Sequence, residues 1–284
     1  MKVKIRKYLV GFLTHTLGNL LVAICPKKVS QLSKKGLTLV IGDNLSFSER
    51  LMRRSILKKI EKAEDYDKLA QLHKTYWTKQ GDDFVNKTQD KLENTNLPAY
   101  KTILDVLTEE VSNESIKFNK LIEIGTGNGS VLNYLSMSCA NIERMIGIDL
   151  SEAQTKINKA NYKNNARLEF VGGDVLDWIE NQEQGNMILL TFRGVLEYFT
   201  QNQLVKFFEK LNSLGNIIFF AIEPTDSKYN YEEHSNSRVY GAEGAFSHNY
   251  KKLFEDAGFE IWHSEQKEES WHDNIIKIIG AKNY

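Results

Sequence analysis

Three carboxylates, each set within or just past a short apolar run, are the residues of this chain whose types and spacing best suit chemistry. Glu123 interrupts the run at 121–124, Asp149 ends the run at 144–148, and Asp174 follows the run at 168–171 after two glycines. Between the first two lies EIGTGNG, in which Gly125, Gly127 and Gly129 let the backbone turn sharply and come close to a ligand. A carboxylate ending the second strand of such a unit can accept both hydroxyl protons of a ribose, which points to a nucleoside cofactor. Charge separates the candidates. A dinucleotide would rest its pyrophosphate on backbone donors beside Glu123, which repels it, and the third glycine of that fingerprint would fall where this chain has Ser130. S-adenosylmethionine brings an ammonium and a sulfonium instead, which a carboxylate there attracts.

Elements must hold these residues in register. After Lys120 the sequence alternates strands with helices, which predicts a mostly parallel sheet covered on both faces. Strands are expected at 121–124, 144–148, 168–171, 187–192 and 217–222, the fifth stopping at Glu223 and Pro224. Ser151 caps one helix, and another spans 203–214. The polar loop at 225–246 is long enough to be functional, and a helix follows at 247–257. Nothing helical fits between the last two strands, 259–264 and 274–281, so they form a hairpin with the final strand antiparallel. The expected fold is α/β, a Rossmann-like doubly wound seven-stranded sheet with an antiparallel last strand, plus an N-terminal helical extension. Residues 1–100 make that extension and lid, and 101–284 the cofactor-binding domain.

Ahead of the sheet the signals are helical, apart from a short apolar piece at 37–41. Ser46 with Glu49 forms a capping box for a helix through Leu51, Ile56, Leu57 and Ile60. A second helix carries His73, Tyr76 and Trp77 and is broken by Gly81; Pro98 opens a third. At the start, Lys2, Lys4, Arg6 and Lys7 precede a segment, 8–25, without formal charge. On a helical wheel Leu9, Phe12, Leu13, Leu17, Leu20 and Ile24 share one side, and Thr14, His15, Gly18 and Asn19 lie on another. The polar interruptions argue against a signal peptide or a spanning helix. An amphipathic helix packed on the protein's own body is the first reading, and an interfacial membrane helix making peripheral contact through residues 1–25 is the second.

The 284 residues are 41% hydrophobic and carry 37 basic and 37 acidic side chains, enough for one full domain with an extension and no global field to gather a polyanion. Nucleic acid is therefore not the expected partner. Cys25 and Cys139 make neither a disulfide framework nor a metal-ligand spacing; they fit a reducing, cytoplasmic compartment and no metal site.

The order EIGTGNG, IGIDLS, GGDVLDW resembles the class I S-adenosylmethionine-dependent methyltransferases from about Lys120 onward. The resemblance implies that Glu123 holds the methionine amino end, that Gly125, Thr126, Gly127 and Gly129 form the turn lining methionine and ribose, and that Asp149 takes the ribose hydroxyls. It further implies Leu150 on the adenine face, Asp174 and the Val175 backbone at the adenine edge, and Thr191 to Arg193 bordering the methyl-transfer pocket. The chain has TFRGVLEY where nucleic-acid and glutamine amino-methylating relatives carry a paired-proline tetrapeptide, which argues against those substrates. A small-molecule hydroxyl, of a sugar or other natural-product intermediate, is the expected acceptor, and a membrane-presented substrate the alternative. A non-catalytic cofactor- or partner-binding protein is a further one. His248, His234 and Glu223 are the candidates for proton removal, because a histidine titrates near neutrality and Glu223 stands at a strand end.

Overall fold

The computed structural model describes residues 9–38, 44–231, 233–268 and 274–284. The strand-like piece at 37–41 and the basic residues at 2–7 fall wholly or mostly outside them. The chain forms two compact units: residues 1–80 with 239–246, and residues 81–238 with 247–284.

The first unit is helical: α1 (Leu9–Ile24), α2 (Pro26–Lys35), α3 (Phe47–Lys62) and the first part of α4 (Tyr66–Lys91). Ser46 caps α3 with its hydroxyl while Glu49 reaches back to the Ser46 N–H, the reciprocal box that the sequence spells out. Leu32, Met52, Ile56, Leu57, Ile60, Leu69 and Phe246 make its core. Arg53 is buried there, donating to the carbonyls of Thr38 at 3.0 Å and Gly36 at 3.3 Å. His73 is buried too, its ring nitrogens 2.6 Å from Thr38 Oγ1 and 2.9 Å from the Gly244 carbonyl, and burial pushes its pKa down to about 4. Helix α1 reverses the expected orientation. Its packing side is Thr14 and Gly18, and a Cβ on Gly18 would stand 2.9 Å from the Leu51 carbonyl; the apolar side, with Leu9, Phe12, Leu20 and Ile24, is exposed.

The second unit holds a seven-stranded sheet, order β3-β2-β1-β4-β5-β9-β8, built from β1 (Lys120–Ile124), β2 (Arg144–Asp149), β3 (Leu168–Gly172), β4 (Met187–Phe192), β5 (Ile217–Asp226), β8 (Glu260–Glu268) and β9 (Asn274–Lys282). The first five are parallel, and β9 runs antiparallel to both β5 and β8, as the sequence reading expects of the final strand. α5 (Leu97–Asn113), opened by Pro98, and α6 (Ser130–Ser138) cover one face; α8 (Val175–Glu180), α9 (Gln201–Leu214) and α10 (Tyr250–Asp256) cover the other. α7 (Glu152–Asn161) follows β2.

Four local expectations need correction. Gly81 does not break α4, which continues to Lys91: a Cβ there would lie 3.2 Å from the Ser151 Cβ, so glycine serves close approach. Strand β5 runs through Pro224 to Asp226. Beyond Ile222 its pairing is with β9 alone, so the absent proline N–H costs no ladder bond to β4. Part of the 225–246 loop forms a ribbon of β6 (Arg238–Tyr240) and β7 (Ala245–Ser247). The following helix begins at Tyr250, capped by Asn249, so His248 lies before it.

Candidate active site

Strand order reverses between β1 and β4, where a doubly wound sheet opens a crevice at its carboxyl edge. The glycine turn after β1 is left-handed at Gly125 (φ 67°), Gly127 (φ 51°) and Gly129 (φ 76°), the region where an added Cβ is strained. The turn is tied to β2 by the N–H groups of Gly125 and Thr126, both donating to the Ile148 carbonyl. Asn158, fully buried on α7, donates to the Gly127 carbonyl at 2.7 Å and is itself held by Gln154.

Asp149 accepts from Gly127 N at 2.9 Å through one oxygen and from Ser151 N at 2.9 Å through the other. Each oxygen keeps a further lone pair for a hydroxyl donor. Glu123 is buried, accepting from Thr126 Oγ1 at 2.7 Å. Burial pushes its carboxyl up to about 8 against the pull of Thr126 and the Leu132 N–H, and the Asp149 charge raises it further. Gly147, in register with Glu123 on β2, makes room: a Cβ there would stand 2.8 Å from Thr126. Asp174 accepts from Leu176 N as the cap of α8, Leu150 is half-buried, and the Val175 side chain is in the core.

The turn also has an N-terminal neighbour that sequence reading missed. Val85, on the part of α4 beyond Gly81, would lie 3.7 Å from a Gly127 Cβ, and Glu93 accepts from Asn128 at 2.8 Å and Ser130 Oγ at 3.0 Å. Placing a break at Gly81 hid this. Asn158 and Gln154, four apart on one helix, were a legible pair whose purpose depends on the turn they meet.

At the ends of β4 and β5, Glu223 is fully buried. Its carboxylate accepts from Val195 N at 3.0 Å, with the N–H groups of Leu196 and Gly194 also turned toward it. Burial still pushes it up to about 7. The loop it holds is left-handed at Arg193 and Gly194, and Val195 packs where a Cβ on Gly125 would fall. Arg193 and Lys267 lie over the Tyr100 ring, 5.0 and 4.2 Å from its centroid.

The histidines part company. His248 is fully buried, with Nδ1 2.6 Å from Ser237 Oγ, and burial lowers its pKa to about 3 despite the carbonyls of Leu196 and Phe199. A proton taken there would be a charge without water, which corrects the expectation of a general base near neutrality. His234 is exposed and stacks on Tyr229. Arg238 pairs with Asp226 and lies over Tyr229, so its charge is already answered.

Residues 121–214, which span the glycine turn, Asp149, Asp174 and the end of β4, match the model of a family described as a methyltransferase domain. Over those residues the chain is similar to methyltransferase domains. The chain is 25% identical over 207 residues to the carboxy-S-adenosyl-L-methionine synthase of Nautilia profundicola, covering 71% of this chain and 81% of that relative. Among solved structures it is similar to magnesium protoporphyrin IX methyltransferase from Synechocystis with bound S-adenosylmethionine (16% identity, 65% and 79% of the two chains, TM-score 0.45). It is also similar to geranyl diphosphate C-methyltransferase from Streptomyces coelicolor (11% identity, 65% and 79%, TM-score 0.48). The residues of the site fit S-adenosylmethionine: the buried Glu123 carboxyl, once ionised, suits an ammonium, and the glycines leave backbone where side chains would intrude.

Proposed function

We propose that this methyltransferase methylates a hydroxyl of a small molecule, a sugar or other natural-product intermediate, in the cytoplasm. The observation that carries the reading is Glu223, a buried carboxyl on β5 just past the end of its pairing with β4, whose pKa is pushed to about 7, suited to taking the hydroxyl proton as the new bond forms. Glu123 binds the methionine ammonium, with Gly125, Thr126, Gly127 and Gly129 along methionine and ribose. Asp149 takes the ribose hydroxyls, Leu150 the adenine face, and Asp174 with the Val175 backbone the adenine edge. Thr191 and Arg193 border the acceptor pocket. The cofactor supplies an activated methyl on a neutral leaving group, so the chain's residues orient the acceptor, exclude water and hold one proton.

Calorimetric titration tests the cofactor half: binding of S-adenosylmethionine that disappears in Asp149→Ala supports it, and no binding by the wild type overturns it. For the acceptor, an extract incubated with methyl-labelled cofactor should yield an ether that survives mild alkali. Label recovered only in amines or in alkali-labile esters would overturn the hydroxyl reading. An acceptor presented at a membrane is the second reading, favoured by the apolar side that α1 leaves exposed.

A further inference from the structure

Helix α1 is amphipathic in the opposite sense to a helix that supports a core. Its small and polar side, Thr14 and Gly18, is the buried one, and Asn19 accepts from Ser55 of α3 at 2.5 Å. Leu9, Phe12, Leu20 and Ile24 are each more than half exposed, with Leu17 beside them. A contiguous row of large apolar side chains along one helix, facing away from its own core, marks a surface that something else covers. Charge says what. Residues 1–35 contain eight lysines and arginines and no aspartate or glutamate, in a chain whose total charge is zero. Some of that charge is answered, since Lys28 pairs with Glu49 at 2.7 Å, but Lys27, Lys34 and Lys35 at the start and end of α2 are exposed. No single helix among the described residues is long and apolar enough to cross a membrane, and α1 meets α2 at a bend of 103°. An apolar row of that length flanked by cations suits a helix lying in the headgroup region of an anionic bilayer.

We infer that α1 is a membrane-surface anchor, binding anionic lipid by inserting Phe12, Leu20 and their neighbours while the basic residues of its flanks meet the headgroups. The inference does not rest on the methyl acceptor being a hydroxyl, nor on catalysis.

The test is co-sedimentation of the full chain with vesicles of phosphatidylcholine alone and with added phosphatidylserine. Binding is expected to the anionic vesicles, to weaken with salt, and to fall at least about tenfold in a Phe12→Asp, Leu20→Asp variant. Because both side chains are exposed, that variant should keep its thermal midpoint and its S-adenosylmethionine affinity, which separates this test from that of the cofactor site. Absence of wild-type binding, or a folded variant that binds as well as the wild type, overturns the inference. So does a wild-type oligomer, seen by light scattering, that becomes monomeric in the variant without any vesicle binding, because the apolar row would then be a protein contact.

Discussion

Buried charge does different things in the two units. In the helical unit Arg53 and His73 sit inside the core on backbone carbonyls and one hydroxyl, and His73 is driven neutral. In the sheet unit the buried groups are carboxyls, Glu123 and Glu223, both raised toward neutrality at strand ends beside the glycine turn and the loop after β4. The first pair bonds the carbonyls of Gly36, Thr38 and Gly244 and the Thr38 hydroxyl. The second is left near its titration point, where an arriving cation or a departing proton changes its state at small cost. On the proposed function, burial alone does not separate a structural polar residue from a functional one, and place in the sheet is what sets Glu123 and Glu223 apart.

The largest effect that would break this contrast is structural. Arg53→Ala should lower unfolding free energy by about 3–5 kcal/mol, because carbonyls of Gly36 and Thr38 lose their donor in a packed interior. A denaturant midpoint shifted by less than a third of that would show the residue to be dispensable. Next comes pH. Glu223 prefers its proton in the folded state, so its contribution is full below about pH 4.5 and fades as pH rises through about 7. In the cofactor-free protein, Glu223→Gln should flatten the stability decline across that window, by on the order of 3 kcal/mol. An unchanged slope would mean the carboxyl is ionised in place.

The third prediction concerns binding. An ammonium needs Glu123 ionised, so S-adenosylmethionine affinity should climb up to about tenfold per unit between pH 6 and about 8, then level. Glu123→Gln should cost about 10- to 100-fold at pH 8 and abolish the climb, read by calorimetry. A pH-independent wild-type affinity would remove Glu123 from the binding set. The smallest effect is Gly81→Ala. The gain in helix propensity opposes a Cβ only 3.2 Å from Ser151, so stability should move by less than about 1 kcal/mol. A loss of several kcal/mol would make that close approach obligatory.

The sheet and the glycine turn were legible because their signals are local: apolar runs, glycines and strand-end carboxylates all stand within a few residues of one another. The parallel order and the terminal hairpin followed from what could fit between the runs. What stayed hidden depends on partners distant in sequence. A helical wheel shows which side of α1 is apolar, but not which side finds a core, and Thr14 and Gly18 found it. Gly81 carries the composition of a helix stop, and only its nearness to Ser151 explains why the helix passes through it. His248 had the intrinsic pKa of a base until its burial beside Ser237 set it near 3. Glu223 read as a strand end, and nothing local announced the loop N–H groups that gather on it.

The position of β9 bears on how the chain reaches this state. It is the last strand in sequence yet an interior one, paired to β5 on one side and β8 on the other. During synthesis β1 to β5 can emerge and pair while the outer edge of β5, apolar from Ile217 to Ile222, waits for a partner that follows β8 in the sequence. Until then that edge is a template for any other strand nearby. A chain cut short ahead of Asn274 would keep every residue of the glycine turn and still be released with the sheet open, so its fate should be aggregation and not merely reduced activity.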